Sequence, residues 1–399
     1  MRFAPKELGF IADPYPVYAE LRERAPVLYD EPTDHWLVSR YGDVNALLRD
    51  RRLGRTYLHV ASHAEMGRPD PPEWHEPFWH LINAGILDME PPDHTRVRRL
   101  VAKAFTPRFV ESLRPRVGAI MASLLDDVAG AGEFDLLPHV AEPLPVTVIA
   151  EMLGVPAADH HLLRPWSADI CKMYELSPSP ASQRDAVRAS TEFSEYLRVL
   201  ARERGRDGGE DLISRLAQVV DEGETLTEDE LVGTCVLLLN AGHEATVNST
   251  LIGWWSLFRH PERLNELRED RSLLPTAVEE LLRFDTPLQM FERWVLEPIE
   301  VRGVRIPQGA ELGLLFGSAN RDPAAFDRPD ELDLAREPNP HLTFGAGIHF
   351  CLGAPLGRQE LQVSFSTLMD RFPNLELVEE PTWKANYVIR GLEGLLVRP

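Results

Sequence analysis

The sequence predicts a mainly α-helical protein with small β-sheets, an α+β fold carried by one domain over residues 1–399. Three observations predict it. Apolar residues recur at helical spacing through most of residues 110–221 and again from about 228 to 260. Short strand-like runs bounded by turn residues occur near the start and after residue 287. No Gly/Ser linker, charge block or internal repeat divides the chain, although 399 residues would allow a second domain.

Composition narrows the function classes. The chain is 44% hydrophobic and 26% charged, ordinary for a soluble globular protein. A formal net charge of −21 argues against nucleic acid as a general partner. Cys171, Cys235 and Cys351 are odd in number and widely separated, which gives neither a disulfide framework nor a paired CxxC zinc site. The first residues carry no apolar signal core or anchor, and the longest apolar run, 235–239, is too short to span a bilayer. A cytoplasmic protein without a membrane segment is expected.

In chain order, residues 14–24 place Val17, Tyr18 and Leu21 on one face of a short helix. Residues 27–29 and 36–38 read as strands around a polar turn, followed by a helix near 44–48. Residues 54–88 lack clean periodicity yet hold Trp74, His75, Phe78, Trp79 and His80, which suggests an aromatic-rich lid. Pro91 and Pro92 then open a helix in which His94 and Arg98, four apart, share a face suited to gripping carboxylates. Arg96, Arg99 and Lys103 make a basic face on the same segment. The pattern over 110–221 is helical and broken at Ser177-Pro178-Ser179-Pro180.

Thr227 and Glu230 are spaced as a capping box and start the next helix, which runs to about residue 260, before Pro261. About 33 residues at ~1.5 Å each make it roughly 50 Å long. Its middle, Asn240-Ala241-Gly242-His243-Glu244-Ala245-Thr246, puts polar groups and a glycine where a buried helix would have apolar residues. Leu237, Ala241, Glu244 or Ala245, and Asn248 recur on one face, with small residues that let a ligand approach. Glu280 and Arg283 form an E-x-x-R pair one turn apart. Residues 287–293 lead into strands, and 299–301 with 304–306 flank Arg302-Gly303 as a hairpin. A helix to about Phe372 and late strands finish the chain.

Between them lies His341-Leu-Thr-Phe344-Gly345-Ala-Gly347-Ile-His349-Phe-Cys351-Leu-Gly353. Glycines let this backbone turn tightly and approach a flat object closely. A helix starting near Leu352 would set the positive end of its dipole beside the Cys351 sulfur and favour a thiolate ligand.

The loop matches F-G-x-G-x-H-x-C-x-G and resembles the haem-binding loop of cytochromes P-450 of the soluble bacterial type. The resemblance extends over the chain through Asn240–Thr246, similar to the oxygen-binding segment A-G-x-[DE]-T-T, and through the E-x-x-R pair. It implies the P-450 fold, with a long central helix over haem b (iron protoporphyrin IX) and the cysteine loop beneath. Cys351 would ligate the iron, with Phe344, Gly345, Gly353 and Ala241 against the haem, while His94, Arg98, Arg293 and His349 would hold its propionates. Glu280 and Arg283 would brace that side structurally. The implied activity is monooxygenation of a mainly apolar small molecule by O2, with electrons from a ferredoxin docked on Arg96, Arg99 and Lys103. The pocket would include Leu237, Asn240, Leu288, Val388 and Ile389. One departure stands out: Ala245 replaces the family's usual threonine, so protons would arrive through Glu244, ordered water, Thr246 or a substrate hydroxyl. A different haem-thiolate oxidation, such as peroxygenation or C–C coupling, and a non-enzymatic haem sensor are the alternative readings.

Overall fold

A computed structural model describes residues 2–399. Residue contacts divide the chain into two units built from non-contiguous segments: Met1–Gly54, Arg114–Leu144 and Ala245–Pro399 in the first, Arg55–Leu113 and Pro145–Glu244 in the second. Each unit is left and re-entered, so no linker punctuates the sequence.

The described strands all fall in the first unit: β1 (Val27–Asp30), β2 (His35–Val38), β3 (Leu53–Gly54), β4 (Phe134–Asp135), β5 (Met290–Val295), β6 (Ile299–Val301), β7 (Val304–Ile306), β8 (Glu311–Leu315), β9 (Glu376–Leu377) and β10 (Leu396–Arg398). A five-stranded sheet has the order β1-β2-β8-β5-β3. The β2–β8 pair is parallel, with His35 opposite Glu311; the other pairs are antiparallel. Val38, Val295, Leu312, Leu314 and Phe316 bury one side of this sheet against Leu47, Leu48 and Leu342. Each such side chain contributes roughly 1.5–3 kcal/mol on burial. The 299–306 hairpin forms as expected, with Arg302 and Gly303 both at positive φ. The two-residue strand β4, paired with β10, was not expected, because two residues inside a helical pattern leave no alternation to detect.

Four helices carry candidate residues: α1 (Asp93–Ala104), α2 (Glu228–Arg259), α3 (Leu274–Phe284) and α4 (Ala354–Arg371). Both halves of the α2 capping box are made. Thr227 N–H donates to Glu230 Oε2 at 2.8 Å and Glu230 N–H donates to Thr227 Oγ1 at 3.2 Å. Its 32 residues span about 48 Å. Among the described residues no helix is long and apolar enough to cross a membrane.

In the second unit, Pro180–Asp207 packs along His160–Cys171 and Glu76–Asn83. The last of these lies within residues 54–88, where the sequence shows no clean periodicity. A helix forms there with Pro77 in its first turn and buries Phe78, Leu81 and Ile82, while Trp74 and Trp79 stay exposed. Eight residues flanked by irregular backbone are too few for a helical period to stand out.

Candidate functional site

The cysteine loop of the first unit is closed by its own backbone: Cys351 N–H donates to the Phe344 carbonyl at 2.9 Å and Gly345 N–H to that of Leu342 at 2.7 Å. Gly345 and Gly347 have φ of +68° and +73°, where an L side chain is strained. At Gly347 there is no room either, since a Cβ would stand 2.4 Å from the Leu48 carbonyl oxygen. Asn320 pins the loop's entry, accepting from Leu342 N–H at 2.7 Å, and the Thr343 hydroxyl donates to the Leu282 carbonyl at 2.8 Å. Cys351 is half-buried, and Gly353 is the N-cap of α4, so the sulfur sits beside that helix's positive end. α4 starts two residues later than expected. His349 is half-buried on the one-turn 3-10 helix Gly347–His349.

Glu279 on α3 ties both ends of the loop. Arg358 donates to it through Nε at 2.6 Å and a terminal nitrogen at 2.7 Å, and His341 Nε2 lies 3.1 Å from the same carboxylate. Burial works to raise the Glu279 pKa, but the bonds to His341 and Arg358 outweigh it and hold the carboxyl down to about 2. The Arg358 guanidinium then rests 4.4 Å from the Phe344 ring centre. Sequence reasoning missed this carboxylate, and its distant partners left no local signal.

The neighbouring Glu280–Arg283 pair is fully buried and bidentate, with both contacts at 2.7 Å. Arg336 adds a second guanidinium to the Glu280 carboxylate at 3.0 and 3.1 Å, and Asp333 N–H donates to it at 2.9 Å. Arg283 also donates to the carbonyls of Asn320 and Pro329, at 2.9 and 2.8 Å. Glu280 and Arg283 thus brace the segment leading to the cysteine loop. Arg336 was missed because its partner lies 56 residues away.

Arg293 is buried on β5, where it donates to the Glu292 carbonyl at 2.9 Å and lies 4.6 Å from the Phe291 ring centre. Leu288 and Ile389 meet in an isolated β-bridge, reinforced by Gln289 N–H donating to the Val388 carbonyl at 3.0 Å. Three of the expected pocket residues are thereby brought together.

α2 is buried over most of its length but opens in its middle. Leu237, Leu238, Gly242, Glu244 and Ala245 are partly accessible and Ala241 is exposed, while Asn240, Thr246 and Asn248 are buried. The open positions follow the helical repeat, so they form one strip. Thr246 lies off it; its carbonyl accepts from the Thr250 hydroxyl at 2.9 Å.

In the second unit, burial holds the Cys171 thiol well above its ordinary range, and the nearby Glu244 carboxylate pushes the same way. Tyr174, next to Asn240, is likewise raised by burial. Cys171 and Tyr174 had no sequence signal of their own. On α1, His94 is buried and Arg98 half-buried. The basic face of α1 is largely neutralised: Arg96 pairs with Glu230, Lys103 with Asp221, and Arg99 with Asp221 and, at 2.8 Å, Glu222.

The first unit offers a soft sulfur ligand on a glycine-cleared loop at a helix N-terminus, with a buried arginine elsewhere in the unit. That donor set and that cleared backbone suit a thiolate-ligated haem. Comparison with known proteins agrees. The family model described as Cytochrome P450 matches residues 58–386. Nocardicin C N-oxygenase of Nocardia uniformis subsp. tsuyamanensis is 43% identical over 392 residues, covering 95% of this chain and 94% of its own. 6-Deoxyerythronolide B hydroxylase of Saccharopolyspora erythraea is 39% identical over 402 residues, covering 98% and 97%. The crystal structure of P450BioI in complex with hexadec-9Z-enoic acid ligated acyl carrier protein superposes with a TM-score of 0.92 at 36% identity, covering 98% and 99%.

Proposed function

The chain belongs to the cytochrome P450 family, haem-b monooxygenases, and we propose that it hydroxylates or otherwise oxidises a mainly apolar small molecule of secondary metabolism or catabolism. The observation that carries this reading is the open strip on α2, where Leu237, Ala241 and Ala245 present small or apolar groups beside one carboxylate, Glu244. The relatives' names, an N-oxygenase of nocardicin C and a hydroxylase of 6-deoxyerythronolide B, support a natural product as the substrate class.

Bound haem supplies the activation of O2 for insertion of one oxygen atom into the substrate. In this reading Cys351 is its ligand, and Phe344, Gly345, Gly353 and Ala241 shape its contacts. His94, Arg98, Arg293 and His349 hold its propionates. Leu237, Asn240, Leu288, Val388 and Ile389 orient the substrate and exclude water. Glu244 moves protons, alone or through ordered water. Thr246 is buried off the strip, which favours ordered water or a substrate hydroxyl over Thr246 as the replacement for the missing threonine at Ala245. A ferredoxin-type donor supplies electrons. The ion pairs of Arg96, Arg99 and Lys103 weaken them as its docking face, and the exposed Ile348 and Phe350 on the cysteine loop offer apolar contact instead.

A library screen that follows the haem absorption shift identifies the substrate class; binding confined to strongly polar compounds would overturn the apolar assignment. With the substrate in hand, Ala245→Thr is compared with the wild type for product formed per electron consumed. Proton delivery assisted by the substrate predicts poorer coupling in the variant, because a new hydroxyl competes for the substrate's place. Unchanged or improved coupling would refute it.

A further inference from the structure

His35, Glu292 and Glu311 converge on one side of the five-stranded sheet, from three neighbouring strands, β2, β5 and β8. His35 stands directly opposite Glu311 in the parallel pair. Glu292 is opposite Gly313, and Glu311 opposite Trp294, so the two carboxylates are diagonal neighbours on a shared face. One ligand atom from each residue lies within 4.8 Å of the others. His35 Nε2 is 3.6 Å from Glu292 Oε1 and 3.7 Å from Glu311 Oε2, beyond hydrogen-bond length.

The orientation of the imidazole is fixed from behind. His35 Nδ1 is 2.5 Å from the Thr33 carbonyl oxygen, an acceptor, so Nδ1 carries a proton. Nε2 then faces the two carboxylates from a buried position with no hydrogen-bond partner, and a cation bound there takes the place of its proton. This is the arrangement in which a metal-ligating histidine is held, its far nitrogen donating to a backbone carbonyl.

We propose that His35, Glu292 and Glu311 bind one zinc-class divalent cation, which clips strands β2, β8 and β5 together. The spacing favours that class. Metal–ligand bonds of about 2.0–2.1 Å at a tetrahedral angle separate ligand atoms by roughly 3.4 Å, close to the 3.6 and 3.7 Å from His35 to the two carboxylates. An octahedral site for a small hard cation would bring adjacent ligand atoms to about 2.9 Å, and an imidazole ligand further disfavours magnesium and calcium. Three protein ligands leave the fourth position to water. The site is separate from the cysteine loop and does not rest on the proposed reaction.

The test uses the haem-loaded protein. It is incubated with zinc chloride, desalted, and its metals are measured by mass spectrometry, with haem iron counting the folded chains. One zinc per iron is expected in the wild type, and little in His35→Gln or Glu292→Gln. Zinc should also raise the wild type's thermal midpoint and leave the variants unmoved. Should a variant fail to load haem, Glu311→Gln and anomalous scattering at the zinc edge from wild-type crystals decide instead, with a peak expected beside His35 Nε2. Equal zinc in wild type and variants, no zinc in the wild type, or a peak elsewhere would each overturn the proposal. In those cases a protonated His35 alone balances the carboxylates.

Discussion

Glu279→Gln isolates the bridge that ties the cysteine loop to α3. The Glu279 carboxyl falls from its ordinary 4.5 to about 2 in the folded chain, because His341 and Arg358 outweigh its partial burial. About 2.5 units correspond to at most ~3.4 kcal/mol of stability at pH 7. Since the folded pKa is the lower one, this stability is fully present above about 4.5 and is lost as pH falls toward 2. The contribution should still be about 2.6 kcal/mol at pH 4 and only about 1.4 kcal/mol at pH 3. Glutamine keeps the shape but not the charge, so wild type and variant should differ most at neutral pH and converge on acidification. Urea midpoints across pH 3–7 measure the difference. Haem retention measures where the energy acts, because His341 and Arg358 flank Cys351 on either side. A difference below ~0.5 kcal/mol at pH 7, or one that stays constant down to pH 3, would refute the reasoning.

Glu360 on α4 should respond in the opposite sense. Burial pushes its pKa up to about 8, so the stability it permits at low pH is lost as pH rises from about 4.5 through 8. Glu360→Gln should therefore abolish a loss of about 3 kcal/mol between pH 5.5 and 8, read from urea midpoints; parallel pH profiles would argue against it. Gly347→Ala forces an alanine into positive φ and against the Leu48 carbonyl, and should cost about 1–3 kcal/mol together with haem content. A variant that loads haem like the wild type would show that the loop tolerates a side chain there. Thr227→Ala removes the cap of α2 and should lower stability by about 1 kcal/mol in chemical denaturation, with no shift of the haem band.

Glu279 and Glu280 show where sequence reasoning succeeds and where it stops. The two residues are adjacent and chemically identical. Glu280 is legible because its partner Arg283 follows at the three-residue interval that a helix turns into contact. Glu279 is not, because its partners His341 and Arg358 come from 62 and 79 residues away. Arg336, which completes the Glu280 cluster, was invisible for the same reason. The long helix was legible twice over, in its cap and in the polar interruption at residues 240–246, since both are local. The helix Glu76–Asn83 and strand β4 are local too, but they hold too few residues for a period to emerge.

The same division applies to what distinguishes this chain within its family. A cysteine among glycines can be read in one stretch because backbone geometry forces those residue types to be neighbours. Selectivity needs no such adjacency. The accessible strip of α2 is set by which of its turns other segments leave uncovered, and the Leu288–Ile389 bridge joins residues far apart in the chain. The Ala245 substitution therefore acquires its meaning from position. On a buried turn, exchanging threonine for alanine would alter only packing. On the accessible strip, next to Glu244, it leaves no hydroxyl on the face available to a substrate, which is why the proposed proton path draws on the substrate's own polar groups.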